Sequence, residues 1–174
     1  MKEVIIALIC ALLIAGCASY DGRGLMPGVS NTSEVIQLMG EPAMRWQEPD
    51  GSQVLAYPRG PAGVQTYMVR IDPKGFFASR ENVLDSKHFA RLREGMTQEE
   101  VLRVIGPPFP GWTLYFAARD ELVWEWRWCD DFNEPARFNV FFDGTSGRVR
   151  TTASLTERQS MPFGRGDRRD WCAR

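Results

Sequence analysis

Thr97-Gln98-Glu99-Glu100-Val101-Leu102-Arg103-Val104-Ile105-Gly106-Pro107-Pro108 reads as a complete short helix with its start and stop signals. Thr97 and Glu100 have capping-box spacing, in which each side chain satisfies a backbone N–H that the helix itself leaves without a partner. Val101, Leu102, Val104 and Ile105 make one apolar stripe. Gly106 suits the left-handed position past the last turn, and the two prolines end the helix. Sixty-six residues upstream the same order returns in Asn31-Thr32-Ser33-Glu34-Val35-Ile36-Gln37-Leu38-Met39-Gly40-Glu41-Pro42. Asn31 and Glu34 form the cap pair, four apolar residues follow, and Gly40 and Pro42 close the segment. Trp46 falls on Trp112 at the same offset.

The parallel runs on. Val54-Leu55-Ala56-Tyr57 corresponds to Val123-Trp124-Glu125-Trp126, and Tyr67-Met68-Val69-Arg70-Ile71-Asp72 to Phe138-Asn139-Val140-Phe141-Phe142-Asp143. The latter pair alternate as strands and end in turns, at Asp72-Pro73-Lys74-Gly75 and Asp143-Gly144-Thr145-Ser146-Gly147. The pattern predicts an α+β fold of two tandem units, each a helix, a second helix and a three-stranded antiparallel sheet. The second unit spans 86–156, with a first helix over 86–93 containing Phe89 and Leu92, a turn at Gly95, and strands near 121–128, 136–142 and 148–155. The first unit spans 28–85 and is degenerate, because Gly22, Gly24, Pro27 and Gly28 break any helix within 20–30. Units of about 65 residues bury little core alone, and the connector 79–85 lacks linker composition, so the two are expected to pack together.

Composition bounds the function. The chain has 174 residues, 44% hydrophobic and 25% charged, the balance of a sequence that folds around a core. A formal net charge of −1 supplies no field for nucleic acid, and no nucleic-acid partner is expected. Six tryptophans and ten phenylalanines are a heavy aromatic load, while a single histidine leaves little for a metal site.

Residues 1–17 read as an address. Twelve apolar residues at 4–15 are fewer than the roughly 20 a membrane-spanning helix needs, and they fit the apolar core of a signal peptide. Ile14-Ala15-Gly16-Cys17 resembles the lipobox of bacterial lipoproteins. The resemblance implies a signal peptide of 1–16, acylation of Cys17 as the lipid anchor, and a linker over 17–27. Ala18 where some such proteins carry Asp implies the outer membrane. An ordinary signal peptide or a short hydrophobic arm is the alternative. Several acyl chains, at about 0.8 kcal/mol per buried methylene, make a stable anchor. With Cys17 lipidated, Cys129 and Cys172 are the even set left in an oxidising compartment. They are predicted to form a disulfide worth about 4 kcal/mol on the loop-entropy model, against the alternative of two free thiols.

Arg93-Glu94-Gly95-Met96-Thr97-Gln98-Glu99-Glu100-Val101 with Ile105-Gly106-Pro107-Pro108 resembles the SmpA/OmlA (BamE-like) family of outer-membrane lipoproteins. Trp124-Glu125-Trp126-Arg127 is similar to that family's aromatic strand, and Phe142-Asp143-Gly144-Thr145-Ser146-Gly147-Arg148-Val149 to its turn into the last strand. The resemblance covers the anchor and most of 87–155; the first unit matches weakly, with Gly28-Val29-Ser30 one residue out of step. It implies a role in outer-membrane protein assembly and envelope integrity. A typical member has one unit, whereas two are read here, and Phe109-Pro110-Gly111-Trp112 departs from the family's segment between helix and strand. The tandem also resembles the architecture of periplasmic β-lactamase-inhibitory proteins, which implies a protein-binding inhibitor as the alternative.

Enzyme chemistry finds little to work with. His88 is the lone imidazole, so His-dependent triads and multi-histidine metal sites are excluded or strained; it reads as a surface or half-buried residue. No nucleophile elbow, phosphate-binding loop or zinc-protease motif occurs. Gly164-Arg165-Gly166 lacks the context of a dinucleotide loop. Asp130, Asp131 and Glu134 fit a solvated hairpin better than a calcium site. A non-enzyme with no cofactor and no metal is expected.

Alternation places Leu122, Trp124, Trp126 and Trp128 on one strand face, to pack with Phe138, Val140, Phe142 and Val149 under the helices. The opposite face then carries Glu125, Arg127, Asn139, Phe141, Arg148 and Arg150. Its mixture of Phe141 with Arg127, Arg148 and Arg150 is the composition of a protein-recognition surface, though a solvated sheet reads equally from the residues. The basic tail, 157–174, holds Arg158, Arg165, Arg168, Arg169 and Arg174. It suits either anionic lipid or a solvated terminus clipped down by Cys172, with Phe163 and Trp171 favouring docking on the second unit. The expectation is a periplasm-facing, lipid-anchored outer-membrane scaffold whose partners are the assembly machinery or another envelope protein.

Overall fold

A computed structural model describes residues 21–160 together with Trp171 and Cys172. The leader, Cys17 and most of the basic tail, Phe163 included, lie outside those residues. The fold is mixed α+β. Turns over 21–30 lead into α1 (Thr32–Met39), followed by β1 (Met44–Gln47), β2 (Gln53–Pro58), β3 (Thr66–Ile71) and β4 (Phe77–Asn82). After α2 (Ser86–Phe89) and α3 (Gln98–Ile105) come β5 (Thr113–Phe116), β6 (Glu121–Cys129), β7 (Pro135–Asp143) and β8 (Val149–Thr156). A last turn of helix, α4, covers Glu157–Ser160. Each sheet is a four-stranded antiparallel meander, in the orders β1-β2-β3-β4 and β5-β6-β7-β8.

The expected three-stranded sheets are therefore too small. The added strand after each long helix, β1 or β5, has four residues, too few for alternation to stand out. In the first unit β4 supplies the third expected strand, at a place the sequence does not mark. It runs Phe77-Ala78-Ser79-Arg80-Glu81-Asn82 and buries only Phe77, so its polar sequence reads as a connector. The helix expected over 86–93 is a single turn capped by Asp85, and the 20–30 segment forms turns rather than a helix.

The repeat extends to details that spacing alone does not show. Both α1 and α3 carry the full capping box, from Asn31 with Glu34 and from Thr97 with Glu100. Each N-cap residue also makes an isolated bridge to the residue before its unit's last strand, Asn31 to Phe76 and Thr97 to Arg148. The last hairpin of each sheet is bulged at the matching place, between Arg70 and Ile71 and between Phe141 and Phe142.

The units stack in layers. On one face of the first sheet Leu55, Tyr57, Val69, Ile71 and Phe77 pack with Val35 and Met39 of α1. On its other face Trp46, Ala56, Met68 and Val83 meet Leu102 of α3. The same α3 turns Val101, Val104 and Ile105 toward Trp126, Phe138, Val140 and Phe142 of the second sheet. Phe89 of α2 joins them, stacked on Phe138 with ring centroids 3.8 Å apart. Each such aliphatic or aromatic side chain contributes about 1.5–3 kcal/mol by leaving water. The junction between the units is also polar and close. Trp46 Nε1 donates to Glu99 Oε1 at 2.6 Å, and Arg103 pairs with Glu48 at 2.8 Å. A Cβ on Gly106 would lie 2.6 Å from Thr66 Cγ2, so the end of α3 rests directly on β3.

His88, expected at or near the surface, is 3% exposed. Its Nδ1 lies 2.7 Å from Asp85 Oδ1, and Glu81 of β4 lies 3.6 Å from Nε2, so the turn of α2 brings the ring inward.

Candidate protein-interaction face on the second sheet

Three of the four sheet faces are covered: both faces of the first sheet by α1 and α3, and the inner face of the second by α2 and α3. The outer face of the second sheet has no such layer of helix among the described residues. Register defines it. Leu114, Val123, Phe141 and Thr151 stand opposite one another across four strands, and Glu125, Asn139 and Ala153 form the next rung. Leu114 is 57% exposed and nearby Phe116 41% exposed, whereas Val123 between Leu114 and Phe141 is buried. Leu114 and Phe116 are thus left exposed at the edge of the face, with Phe141 half-buried further in.

The charges are organised. Arg127 and Arg137 face each other on adjacent strands, an arrangement that costs energy unless carboxylates intervene. Arg137 takes them. Its Nη1 donates to Glu125 Oε1 at 3.0 Å, and its Nε to Glu157 Oε1, on α4, at 2.5 Å. Burial works against the Arg137 charge, but the Glu157 hydrogen bond and the two carboxylates outweigh it, so its pKa stands above the ordinary arginine value.

Arg127 takes none. Its Cζ lies 4.4 Å from the ring centre of Trp112 and 5.1 Å from that of Trp171, and no carboxylate among the described residues pairs with it. Trp171 is brought there by the Cys129–Cys172 disulfide beside it, with an S–S distance of 2.15 Å and a Cα–Cα distance of 5.6 Å. Trp171 Nε1 donates to the Trp128 carbonyl at 3.4 Å, and Asn133 donates to the Cys172 carbonyl at 3.1 Å.

The sequence-derived candidates separate. Arg127 and Phe141 share the outer face. Arg150 lies at one end of it, where the bulge lets its guanidinium hold Asp143 Oδ2 at 2.6 Å and the Arg119 carbonyl at 2.9 Å. Arg148 does not join them. It precedes β8, bridges to Thr97 and donates to the Gly95 carbonyl at 2.7 Å, so strict alternation misplaces it. Cys17 lies outside the described residues.

Arg137, Glu157 and Trp112 carry no sequence signal that singles them out for the face. Pairing β6 with β7 about the Asp130–Glu134 turn is enough to find Arg137; Trp112 precedes its strand and shows no alternation. In that turn Asp130 Oδ1 accepts from the Phe132 and Glu134 backbone N–H groups, leaving Phe132 88% exposed at the tip. Among the described residues no cluster of His, Cys, Asp or Glu could hold a metal, and no helix is long and apolar enough to cross a membrane.

No protein-family model matches the chain, and no curated protein matches it. Among solved structures, an osmotically inducible lipoprotein, OsmE, is 29% identical over 40% of this chain and 75% of its own, with a TM-score of 0.34. An extracellular protein containing a SCP domain, from Bacillus anthracis str. Ames, is 10% identical over 83% of this chain and 48% of its own, with a TM-score of 0.31. Both are partial likenesses.

Proposed function

We propose that this chain is a lipid-anchored envelope protein that works without catalysis, holding a partner protein against the outer face of its second sheet. The observation that carries the reading is the uncovered face: Leu114, Phe116 and Phe141 lie beside a fixed set of charges in a fold whose other sheet faces are all packed. Apolar anchors within a polar rim suit protein recognition better than small-molecule chemistry. The lipobox-like Ile14-Ala15-Gly16-Cys17 supports an anchor at the outer membrane, facing the periplasm, and the SmpA/OmlA-like motifs support a role in outer-membrane protein assembly. The anchor raises the effective concentration of the face for membrane-bound partners.

Two experiments test this. Cys17→Ala should release the protein from the membrane fraction without unfolding it; a stable variant that stays membrane-bound overturns the anchor. A photo-crosslinking residue at Thr151, beside Phe141, should give one dominant membrane-protein adduct in intact cells, and the same residue at Gln37 on α1 should not. Equal adducts at both positions overturn the assignment of the face. The tandem order of the units favours one other reading, a periplasmic inhibitor resembling the β-lactamase-inhibitory proteins. It requires a tight 1:1 complex with a globular target that forms in the absence of membrane.

A further inference from the structure

Arg127 differs from the other arginines of the second sheet. Arg137 has Glu125 and Glu157, Arg150 has Asp143, and Arg119 has Glu121. Among the described residues Arg127 has two indole rings and no carboxylate, and its buried Nε has no acceptor. Two aromatic neighbours attract the cation through their ring faces but accept none of its N–H groups. A guanidinium held between two rings is partly stripped of water, so an oxygen acceptor reaching its Nη groups from the cleft gains more here than at a solvated arginine.

Space for one exists. A cleft of about 350 Å³ opens between the units, lined by Pro61, Val64, Arg127, Cys129, Trp171 and Cys172 among others. The first unit supplies one wall through its loop 61–65, which begins at the Gly60–Pro61 cis peptide. A Cβ on Gly60 would meet Trp112 Cζ3 at 3.3 Å, so this loop and Trp112 are in register with each other. Trp171 and Cys172, tied by the Cys129–Cys172 bond, stand in the other wall.

We infer that this cleft binds a carboxylate side chain of an acidic, otherwise apolar peptide segment, with the Arg127 guanidinium as the receptor and Trp112 and Trp171 holding it in place. The apolar lining from Pro61 and Val64 takes the residues beside the carboxylate. Charge complementarity favours a single carboxylate over an anionic membrane surface. Arg137 and Arg150 already hold Glu125, Glu157 and Asp143, so the second sheet offers Arg127 as an isolated cation in a cleft rather than the cluster of cations that a sheet of phosphates attracts. A guanidinium fork matches one carboxylate in two parallel hydrogen bonds. The inference rests on the proposed protein-binding role and names the chemistry at one point of the face.

The test uses the soluble Cys17→Ala protein with its disulfide intact and a capped pentapeptide of valines alternating with two glutamates. Its glutamine counterpart is the control. Binding is read by tryptophan fluorescence and by calorimetry. The glutamate peptide should bind at least tenfold more tightly than the glutamine peptide. Arg127→Gln should abolish that preference, Arg127→Lys should retain part of it, and Trp171→Ala should weaken it severalfold. Equal binding of the two peptides to the parent protein overturns the inference, and that comparison needs no folded Arg127 variant. Binding that emerges only in the double variant Asp167→Asn, Asp170→Asn also overturns it, by giving the slot to the chain's own tail. Phosphatidylglycerol vesicles that bind in an Arg127-dependent way while the peptide does not bind overturn it in favour of lipid. Failure here leaves the Thr151 crosslinking result untouched, so the two readings fail separately.

Discussion

Helices α1 and α3 begin with the same capping box and end at the same kind of glycine, yet α1 packs on one sheet and α3 on two. Gly40, after α1, has φ +85°, and a Cβ placed there would meet nothing within 4 Å; Gly106, after α3, has φ +69°, and its Cβ would meet Thr66 Cγ2 at 2.6 Å. Local syntax is thus shared, while the consequence of breaking it is set by the layer in which the helix lies. The second unit also carries the one disulfide seen among the described residues. It is the part of the molecule on which both the junction and the exposed face depend.

The comparison can be broken most severely at the disulfide. Replacing Cys129 and Cys172 together by serine should cost about 4 kcal/mol in denaturant unfolding, because the closed segment is long. The sequence separation is 43 residues. The glycine pair sharpens it next. Gly106→Ala should cost about 3 kcal/mol, from overpacking added to left-handed strain, against about 1 kcal/mol for Gly40→Ala. Equal losses at the two positions would show that α3 is no more constrained than α1. At the junction, Trp46→Phe removes the hydrogen bond to Glu99 and should cost about 1.5 kcal/mol in denaturant unfolding.

The caps should behave alike. Asn31→Ala and Thr97→Ala are each expected to cost about 1 kcal/mol in thermal melts, since the boxes are equivalent. The smallest effect concerns pH. The Ser146 backbone N–H, then the Arg150 side chain, hold the Asp143 carboxyl down to about 2. The charged form is therefore favoured in the folded state. Its contribution is complete above the ordinary value of 3.8 and is lost as pH falls toward 2. Asp143→Asn should lose less stability than the parent across that window in unfolding midpoints; an identical acid response would remove Asp143 from the account.

The sequence disclosed the elements with dense local signals. The caps of α1 and α3, the alternating strands β6, β7 and β8, and the tryptophan face beneath the helices were all legible because each rests on neighbours three or four, or two, residues apart. What escaped depends on distant pairing. β1 and β5 are too short to show a period, and β4 buries only Phe77 yet completes a sheet by hydrogen-bonding to β3. Arg127 was legible as a face residue, but its lack of a carboxylate was not, since that follows from Arg137 having taken both Glu125 and Glu157. Arg148 misled because it lies before β8, where its bridge to Thr97 and its hydrogen bond to the Gly95 carbonyl hold it.

The layered order has a consequence measured in height. Gly22, near the start of the described chain, lies beside Met39 of α1 and Arg80 of β4, at the first unit's end of the stack. Away from its Arg127 corner, which loop 61–65 of the first unit reaches, the exposed sheet face closes the opposite end. With adjoining layers about 10 Å apart, the face stands about 30 Å beyond the α1 layer. A protein tethered through its N-terminal segment would therefore present that face at arm's length from the surface that holds it, with the first unit as the spacer.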